Sequence, residues 1–380
     1  MASGLSMEKA YGKFSGDALV LGAFALLAGL GMVNLYSASY GYAMALGRAP
    51  GYFAFRQLLW YIPAFAVFSL AYALPMDFIR KQAGTAMLVA LLLLVLPFLP
   101  GIGITRNGAS RWFGFAQLMF QPSELFKPAL VLYLAHILSK KAERLGDVAN
   151  SVLPPLVVAG LGTFIILLQN DFSTALLVAS LAIIMFWVAR VPLVFFLASA
   201  SVALPLTVLS VLTSPYRLKR VVGFLAPSFD PAALSYQVNA STRAIRAGSL
   251  WGKGIGQGTL KLGSIPEVHS DFVFAAWSEE TGFVGVLVVF VLWAAVLYRA
   301  WSFSVKSEDL FASHLCFGMG AYLGLQVLVN VLVSAGAVPA TGIPLPMFSS
   351  GGSSLISVAI AAGLIGNATR RSRQKEVLHG

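Results

Sequence analysis

Residues 272–298 read FVFAAWSEETGFVGVLVVFVLWAAVLY. A helix needs about 20 predominantly apolar residues to cross the hydrocarbon core of a bilayer. This run exceeds that length and carries only two acidic residues, Glu279 and Glu280, both near its start. It reads as a membrane span. Working outward, comparable apolar runs bounded by polar or turn residues lie at about 16–38, 53–74, 83–100, 123–138, 151–168, 173–189, 192–213, 312–335 and 351–369. The first has too long an apolar stretch, and lacks the small-residue cleavage site, for a removed signal peptide, and reads as an anchor. The expectation is an all-α integral membrane protein of about ten transmembrane helices, residues 1–380 forming one polytopic membrane domain.

Composition points the same way. Of the 380 residues, 58% are hydrophobic and 11% are charged, against about 25% charged in average soluble chains. So few charges cannot cover the surface of a soluble enzyme. The 36 Gly and 18 Pro do not signal disorder, because both residues are frequent in membrane helices. The single Cys316 excludes an internal disulfide and a cysteine metal site. The four histidines, His136, His269, His314 and His379, show no paired ligand spacing.

The net charge of +11 would suggest nucleic acid in a soluble protein. In a membrane chain it reads as the positive-inside bias. One set of ends and loops holds fourteen Lys and Arg, among them Lys9, Arg80, Lys81, Lys140, Lys141, Arg144, Arg190, Arg299 and Arg370, while the opposite short loops hold Arg48, Arg56, Arg106 and Arg111. The bias places both termini in the cytoplasm and supports an even number of spans. No nucleic-acid partner is expected.

One segment departs from the bias. Residues 214–271, between spans seven and eight, form a long extracytoplasmic loop that carries Arg217, Lys219, Arg220, Arg243, Arg246, Lys253 and Lys261 against Asp230, Glu267 and Asp271. Long loops translocate regardless of charge, so the topology stands. The cations fit either lipid head groups or a bound anionic substrate such as a phosphate ester.

Ionisable residues at membrane depth are functional candidates by default. Glu124 and Lys127 follow Gln121-Pro122-Ser123 at i, i+3 spacing, which puts them on one helix face. They fit a structural ion pair or one wall of a polar cavity. Asp171, in the tight turn Gln169-Asn170-Asp171-Phe172, fits a turn or N-cap aspartate. In Pro266-Glu267-Val268-His269-Ser270-Asp271-Phe272, acids alternate with a histidine where the cationic loop re-enters the membrane. These acids fit either a cap on the following helix or a carboxylate that serves as general base or holds a cation. The stretch Gly252-Lys253-Gly254-Ile255-Gly256 lacks the strand and the Gly-Lys-Ser/Thr ending of a P-loop, though its glycines permit close backbone approach. Ser349, Ser350, Ser353 and Ser354 surround Gly351-Gly352 ahead of the last run. That segment reads as a re-entrant turn or a helix breaker.

These motifs together resemble the SEDS family (shape, elongation, division and sporulation), the FtsW/RodA family. Asn107-Gly108-Ala109-Ser110-Arg111-Trp112, Gln121-Pro122-Ser123-Glu124 with Lys127, Gln169-Asn170-Asp171-Phe172-Ser173-Thr174, Tyr236-Gln237 with Gly252-Lys253-Gly254, Pro266 through Phe272 with Glu279-Glu280, and Thr341 through Pro346 with Ser350-Gly351-Gly352 keep the family's order along most of the chain. The wording Leu250-Trp251-Gly252 leans toward the FtsW branch. Asn170 stands where the family commonly has Pro, Ser173 for Gly, Ser270 for Thr, and Ser350 where an aromatic is frequent.

The resemblance implies a peptidoglycan glycosyltransferase that polymerises lipid II at the outer face of the bacterial cytoplasmic membrane. It implies Asp271 as catalytic base. It also implies a substrate cavity that draws on Glu124, Lys127, Arg111, Arg217, Arg243, Arg246, Lys253, Glu267, His269, Gln121, Asp171 and Ser350. A divalent cation, magnesium or manganese, shared between Asp271 and pyrophosphate is a further implication, and no organic cofactor is. The implied partners are a class B penicillin-binding protein, a transpeptidase, and other divisome or elongasome proteins. Two rivals stand beside this reading. A lipid II flippase or transporter would use Glu124 and Lys127 as a polar path. A non-catalytic scaffold of the division or elongation machinery would leave Asp271 dispensable.

Overall fold

Apolar runs separated by Gly, Pro and polar turns fold into antiparallel helices that satisfy their own backbone polar groups, the solution a bilayer demands. The computed structural model describes residues 2–106, 108–115, 118–225, 233–259 and 270–379. In chain order the helices are α1 (Ala2–Ala45), α2 (Tyr52–Ala73), α3 (Met76–Lys81), α4 (Ala83–Val95), α5 (Pro122–Lys140), α6 (Val148–Ser151) and α7 (Leu153–Leu168). They continue as α8 (Phe172–Val188), α9 (Leu193–Leu212), α10 (Pro215–Leu225), α11 (Ala233–Gly248), α12 (Val273–Lys306), α13 (Leu310–Ser334) and α14 (Gly352–His379).

Each of the ten stretches expected to be a span is helical. Six helices are long and apolar enough to cross a membrane, and Ala83–Phe98, Leu153–Leu168 and Phe172–Val188 are shorter apolar helices. The tenth, α5, carries Glu124 and Lys127 within it. The chain is an all-α, multi-span membrane protein apart from one addition. Between α4 and α5 a small antiparallel sheet forms from β1 (Gly103–Arg106), β2 (Ala109–Phe115) and β3 (Leu118–Phe120), in that order.

The centre of the bundle is α5. Phe126, Leu130, Val131, Leu134, Ala135 and Leu138 are all fully buried. Close approach comes from small residues. Gly162 of α7 meets the Phe126 ring, and Gly318 of α13 meets Val131 and Met185. At the other extreme α9 buries only Phe195.

The helices alternate in direction, so their connections fall into two sets. One end of the bundle gathers the α1–α2 loop, the sheet, the α7–α8 turn, α10 and α11, the start of α12 and the α13–α14 segment. The opposite end carries Arg80, Lys140, Arg190 and Asp309. There Arg80 meets Asp309 at 2.6 Å and stacks on Phe311 at 4.6 Å, while Asp309 caps α13 through the Phe311 N–H.

The stretch expected to be a loop, 214–271, holds two amphipathic helices, α10 and α11. Beyond it, α12 is two helices. At Gly282 the backbone takes φ 64°, ψ −164° and breaks the helix. Heights along the antiparallel partner α1 show what the break does. Trp293 packs on Phe24 at 6.0 Å, and the Asn34 amide donates to the Val273 carbonyl at 3.1 Å. About ten residues separate Phe24 from Asn34, and about ten separate Trp293 from Phe283, a rise of about 15 Å in each case. Phe283 and Val273 therefore sit at similar heights, and Val273–Thr281 lies across the end of the bundle rather than along it.

Candidate functional site

The connections at the sheet-bearing end enclose a cavity of about 1100 Å³. It is large enough to hold more than a drug-sized ligand. Among the described residues, six arginines line it, Arg48, Arg56, Arg106, Arg111, Arg217 and Arg220, against two carboxylates, Glu124 and Asp271. Gln57, Gln121, Asn170, Gln237, Ser270, Ser350, Ser353 and Ser354 add neutral polar groups.

Asp271 sits just ahead of α12, whose N-cap is Phe272 and has no side-chain cap. It is half-buried. Its backbone carbonyl accepts from Asn330 Nδ2 at 3.0 Å, and the same amide donates to the Ile343 carbonyl at 2.9 Å. The neighbouring Ser270 carbonyl accepts from Ser349 Oγ at 2.5 Å. Gly342, at φ +79°, comes so close that a methyl group there would lie 3.5 Å from Asp271 Oδ2. The carboxylate is thus positioned by α13 and by the segment ahead of α14.

That segment is a turn, as its composition indicated, and its polar groups tie three elements together. Gly351 N–H donates to Gln57 Oε1 at 3.1 Å, and Gln121 N–H donates to Ser353 Oγ at 3.0 Å. Ser350 lines the cavity.

Glu124 and Lys127 form a buried ion pair at 2.7 Å, with side chains 4% and 2% exposed. Both readings of the pair meet here. Lys127 is sealed off, over the Tyr322 ring at 5.3 Å. Glu124 lines the cavity, while its second oxygen, Oε2, is buried without a hydrogen-bond partner in the protein. The Glu124 carbonyl accepts from Ser357 Oγ, itself 2.6 Å from the Tyr322 hydroxyl.

Asp171 caps α8 by accepting from Thr174 N–H at 3.3 Å. It does more than cap. Its Oδ2 accepts from Gln121 Nε2 at 3.2 Å and faces Arg111 Nε at 3.7 Å. Beside it Asn170 is left-handed, at φ +59°, a region Asn tolerates and Pro cannot enter. In that conformation the Asn170 carbonyl accepts from Arg111 Nη2 at 2.5 Å, and its amide donates to the Gly108 carbonyl at 2.9 Å. The turn clasps the β1–β2 hairpin and aims Arg111 into the cavity.

Arg217 bonds to Ser210 and stacks on Phe172 at 5.4 Å. Arg220 donates to the Ala340 carbonyl at 3.1 Å. Three further expected residues stand away from the lining. Arg243 and Arg246 are on the exposed face of α11, whose buried face is Ala240, Ser241 and Ala244. Lys253 turns to Glu279 at 2.7 Å. The glycine-rich stretch around it is a docking loop against α12 rather than a phosphate cradle. Glu267 and His269 lie outside the described residues.

Arg48, Arg56, Arg106 and Arg220 were not among the expected site residues. Arg48 and Arg56 flank the Tyr52 ring at 5.4 and 5.6 Å, within cation–π range. Their i, i+4, i+8 spacing was the available signal.

Similarity to known proteins extends over nearly the whole chain. The family described as "Cell cycle protein" and named for FtsW, RodA and SpoVE matches residues 17–374. The probable peptidoglycan glycosyltransferase FtsW of Geobacter sp. (strain M18) is 35% identical over 357 residues, covering 94% of this chain and 97% of the relative. The stage V sporulation protein E of Bacillus subtilis (strain 168) is 34% identical over 363 residues, covering 95% of this chain and 99% of that protein. Among solved structures, a chain from a peptidoglycan synthase complex superposes with TM-score 0.74 at 30% identity, covering 93% of this chain and 97% of that one. The rod shape determining protein RodA of Thermus thermophilus does so with TM-score 0.66 at 28% identity, covering 93% and 96%.

Proposed function

The chain belongs to the FtsW/RodA/SpoVE family of cell cycle proteins, and on that premise we infer that it is a peptidoglycan glycosyltransferase whose reaction takes place in the arginine-lined cavity. The substrate in this reading is lipid II, and the cavity end faces outward from the bacterial inner membrane, with both termini in the cytoplasm. The observation that carries it is the pairing, in one cavity at the end of the bundle, of six arginines with Asp271 and Glu124.

The acceptor's sugar 4-hydroxyl attacks the donor's anomeric carbon. A C–O bond forms there, the bond to the pyrophosphate oxygen breaks, and undecaprenyl pyrophosphate leaves. A sugar hydroxyl is a poor nucleophile at neutral pH, so a positioned base is needed. Asp271 takes that proton. The leaving pyrophosphate gains charge as the bond breaks, and prearranged guanidinium groups stabilise it. Arg111, held by Asn170 and Asp171, and Arg217 and Arg220 of α10 supply them.

A magnesium or manganese ion fits the donor set only in part. Among the described residues no group of three or more His, Cys, Asp or Glu assembles. Such ions commonly bind through one or two carboxylates plus substrate phosphates and water. Asp271 would hold the cation, which would supply further charge neutralisation at the pyrophosphate.

The transpeptidase partner is a class B penicillin-binding protein, supported by the likeness to a chain from a synthase complex. The transporter reading expects ionisable groups that line a path through the bundle, whereas the cavity's lining residues come from one end. Incubating the purified chain in liposomes with labelled lipid II, with and without a class B transpeptidase, tests the proposal. Glycan strands longer than the disaccharide support it. Lipid movement between leaflets with no strand formation contradicts it.

A further inference from the structure

Residues 249–259, which follow α11, are built as a rigid knob. The break at Gly282 frees backbone groups of α12, and the knob takes them up. Phe283 N–H donates to the Ser249 carbonyl at 2.9 Å and Val284 N–H to the Leu250 carbonyl at 3.2 Å. In the other direction Lys253 N–H donates to the Glu279 carbonyl at 3.0 Å, and Gly254 N–H to the Glu280 carbonyl at 2.9 Å. Gly252, at φ +77°, lies so close that a side chain there would strike the Glu280 carbonyl. Buried Glu279 adds the Lys253 ion pair and accepts from Thr259 N–H at 3.0 Å.

This well-fastened knob presents large apolar side chains outward. Trp251 is 76% exposed, Ile255 60% and Leu250 51%. Its height is fixed by its bonds to Phe283 and Val284. From Phe283 to Lys306, α12 is about 24 residues, or about 36 Å, enough to cross the ~30 Å hydrocarbon core by itself. Phe283 and Leu287, both exposed, begin its lipid-facing stripe. The knob therefore sits where that stripe meets the head groups. Tryptophan favours this zone, with its ring among acyl chains and its N–H in the hydrated layer.

We propose that the Leu250–Trp251–Ile255 knob is a membrane-interface anchor, seated at the head-group boundary of the leaflet at the cavity end. Its occupant is the bilayer, and the apolar surface continues directly from the lipid-facing side of α12. Through Glu279 and Glu280 the knob is continuous with the flat segment Val273–Thr281, so the bilayer sets the height of the segment that follows Asp271. The inference rests on the membrane-spanning fold and not on the glycosyltransferase reading.

The buried Cys316 makes a direct test simple. In the full chain carrying Cys316→Ser, Trp251→Cys or, separately, Ile255→Cys is labelled with bimane and reconstituted in phosphatidylcholine–phosphatidylglycerol vesicles. Nitroxide lipids labelled near the head group are expected to quench at least about twofold more than lipids labelled near the chain end or aqueous iodide, as for a group seated 5–10 Å into the interface. Native fluorescence gives an independent reading. Brominated lipid should quench wild type more than Trp251→Phe, which lacks the anchoring indole. Strong iodide quenching with no lipid quenching at either position overturns the proposal and leaves the knob a surface for a soluble protein. Equal quenching of wild type and Trp251→Phe by brominated lipid also overturns it.

Discussion

Two ion pairs mark the two ends of this molecule, and they are built on opposite principles. At the end away from the cavity, Arg80 and Asp309 meet at 2.6 Å with side chains 36% and 45% exposed. Water screens such a pair, and its net worth is about 0–1 kcal/mol. It latches α3 to the start of α13. Near the cavity, Glu124 and Lys127 meet at 2.7 Å with almost no exposure. Taking both ions out of water costs several kcal/mol per ion, and an apolar pair of similar volume would serve stability as well or better. Stability alone does not explain the buried pair. Its position does, because it sets Glu124 in the wall of the arginine-lined cavity. The contrast shows where this chain uses charge for function rather than for fastening.

For stability, the largest effect is expected at Lys127. Lys127→Met leaves Glu124 buried and uncompensated, at a cost on the order of 3 kcal/mol. Glu124→Gln with Lys127→Met should recover most of that loss. Thermal unfolding in detergent compares the three proteins, and a double variant as unstable as the single one would break the contrast.

The next effect is on substrate binding. Asn170→Gly keeps the left-handed backbone and the carbonyl that holds Arg111, but loses the amide bond to Gly108. The expected result is an apparent KM for lipid II raised several-fold, with kcat within about twofold, the pattern of weakened ground-state binding. Combined with Arg111→Ala, the effects should be less than additive. Additive losses would show that Asn170 acts elsewhere.

At the latch, Arg80→Ala should lower stability by no more than about 1 kcal/mol. Thermal unfolding at low and high salt checks it, and the difference from wild type should shrink as salt rises. A loss as large as that of Lys127→Met would erase the distinction between the two pairs.

The smallest effect concerns Asp147, the N-cap of α6. Hydrogen bonds from the Asn150 side chain and backbone hold its carboxyl below the usual 3.8. A depressed folded pKa gives stability that is present above the unfolded value and lost as pH falls through the folded one. Asp147→Asn should therefore lower the Tm slightly at neutral pH, and the difference from wild type should fade as the pH falls below about 4.

Hydropathy made the helices legible, since each apolar run is long enough to need a helix in lipid. Charges in unusual places made much of the site legible. Asp271, Glu124, Gln121, Arg111, Arg217 and Ser350 all line the cavity. Other features depend on contacts between distant segments. The sheet is not legible in hydropathy, although Asn107-Gly108 is a hairpin signal, because its strands are short and sit between apolar runs. Arg243, Arg246 and Lys253 share a loop with Arg217, and only packing separates them. α11 buries its small-residue face, and Glu279 captures Lys253 across the Gly282 break. Arg48 and Arg56 read as ordinary loop cations until the α1–α2 loop folds over the cavity.

The most direct measurement compares the two ends in one assay. Asp271→Asn and Arg80→Ala, each purified with unchanged membrane insertion, are given labelled lipid II, and initial rates of glycan formation are recorded. The expected outcome is a loss on the order of 10²–10⁴-fold for Asp271→Asn, the range for a removed general base, with Arg80→Ala near wild type. Strand synthesis by Asp271→Asn at a near wild-type rate would contradict the assignment of the cavity's chemistry to this carboxylate.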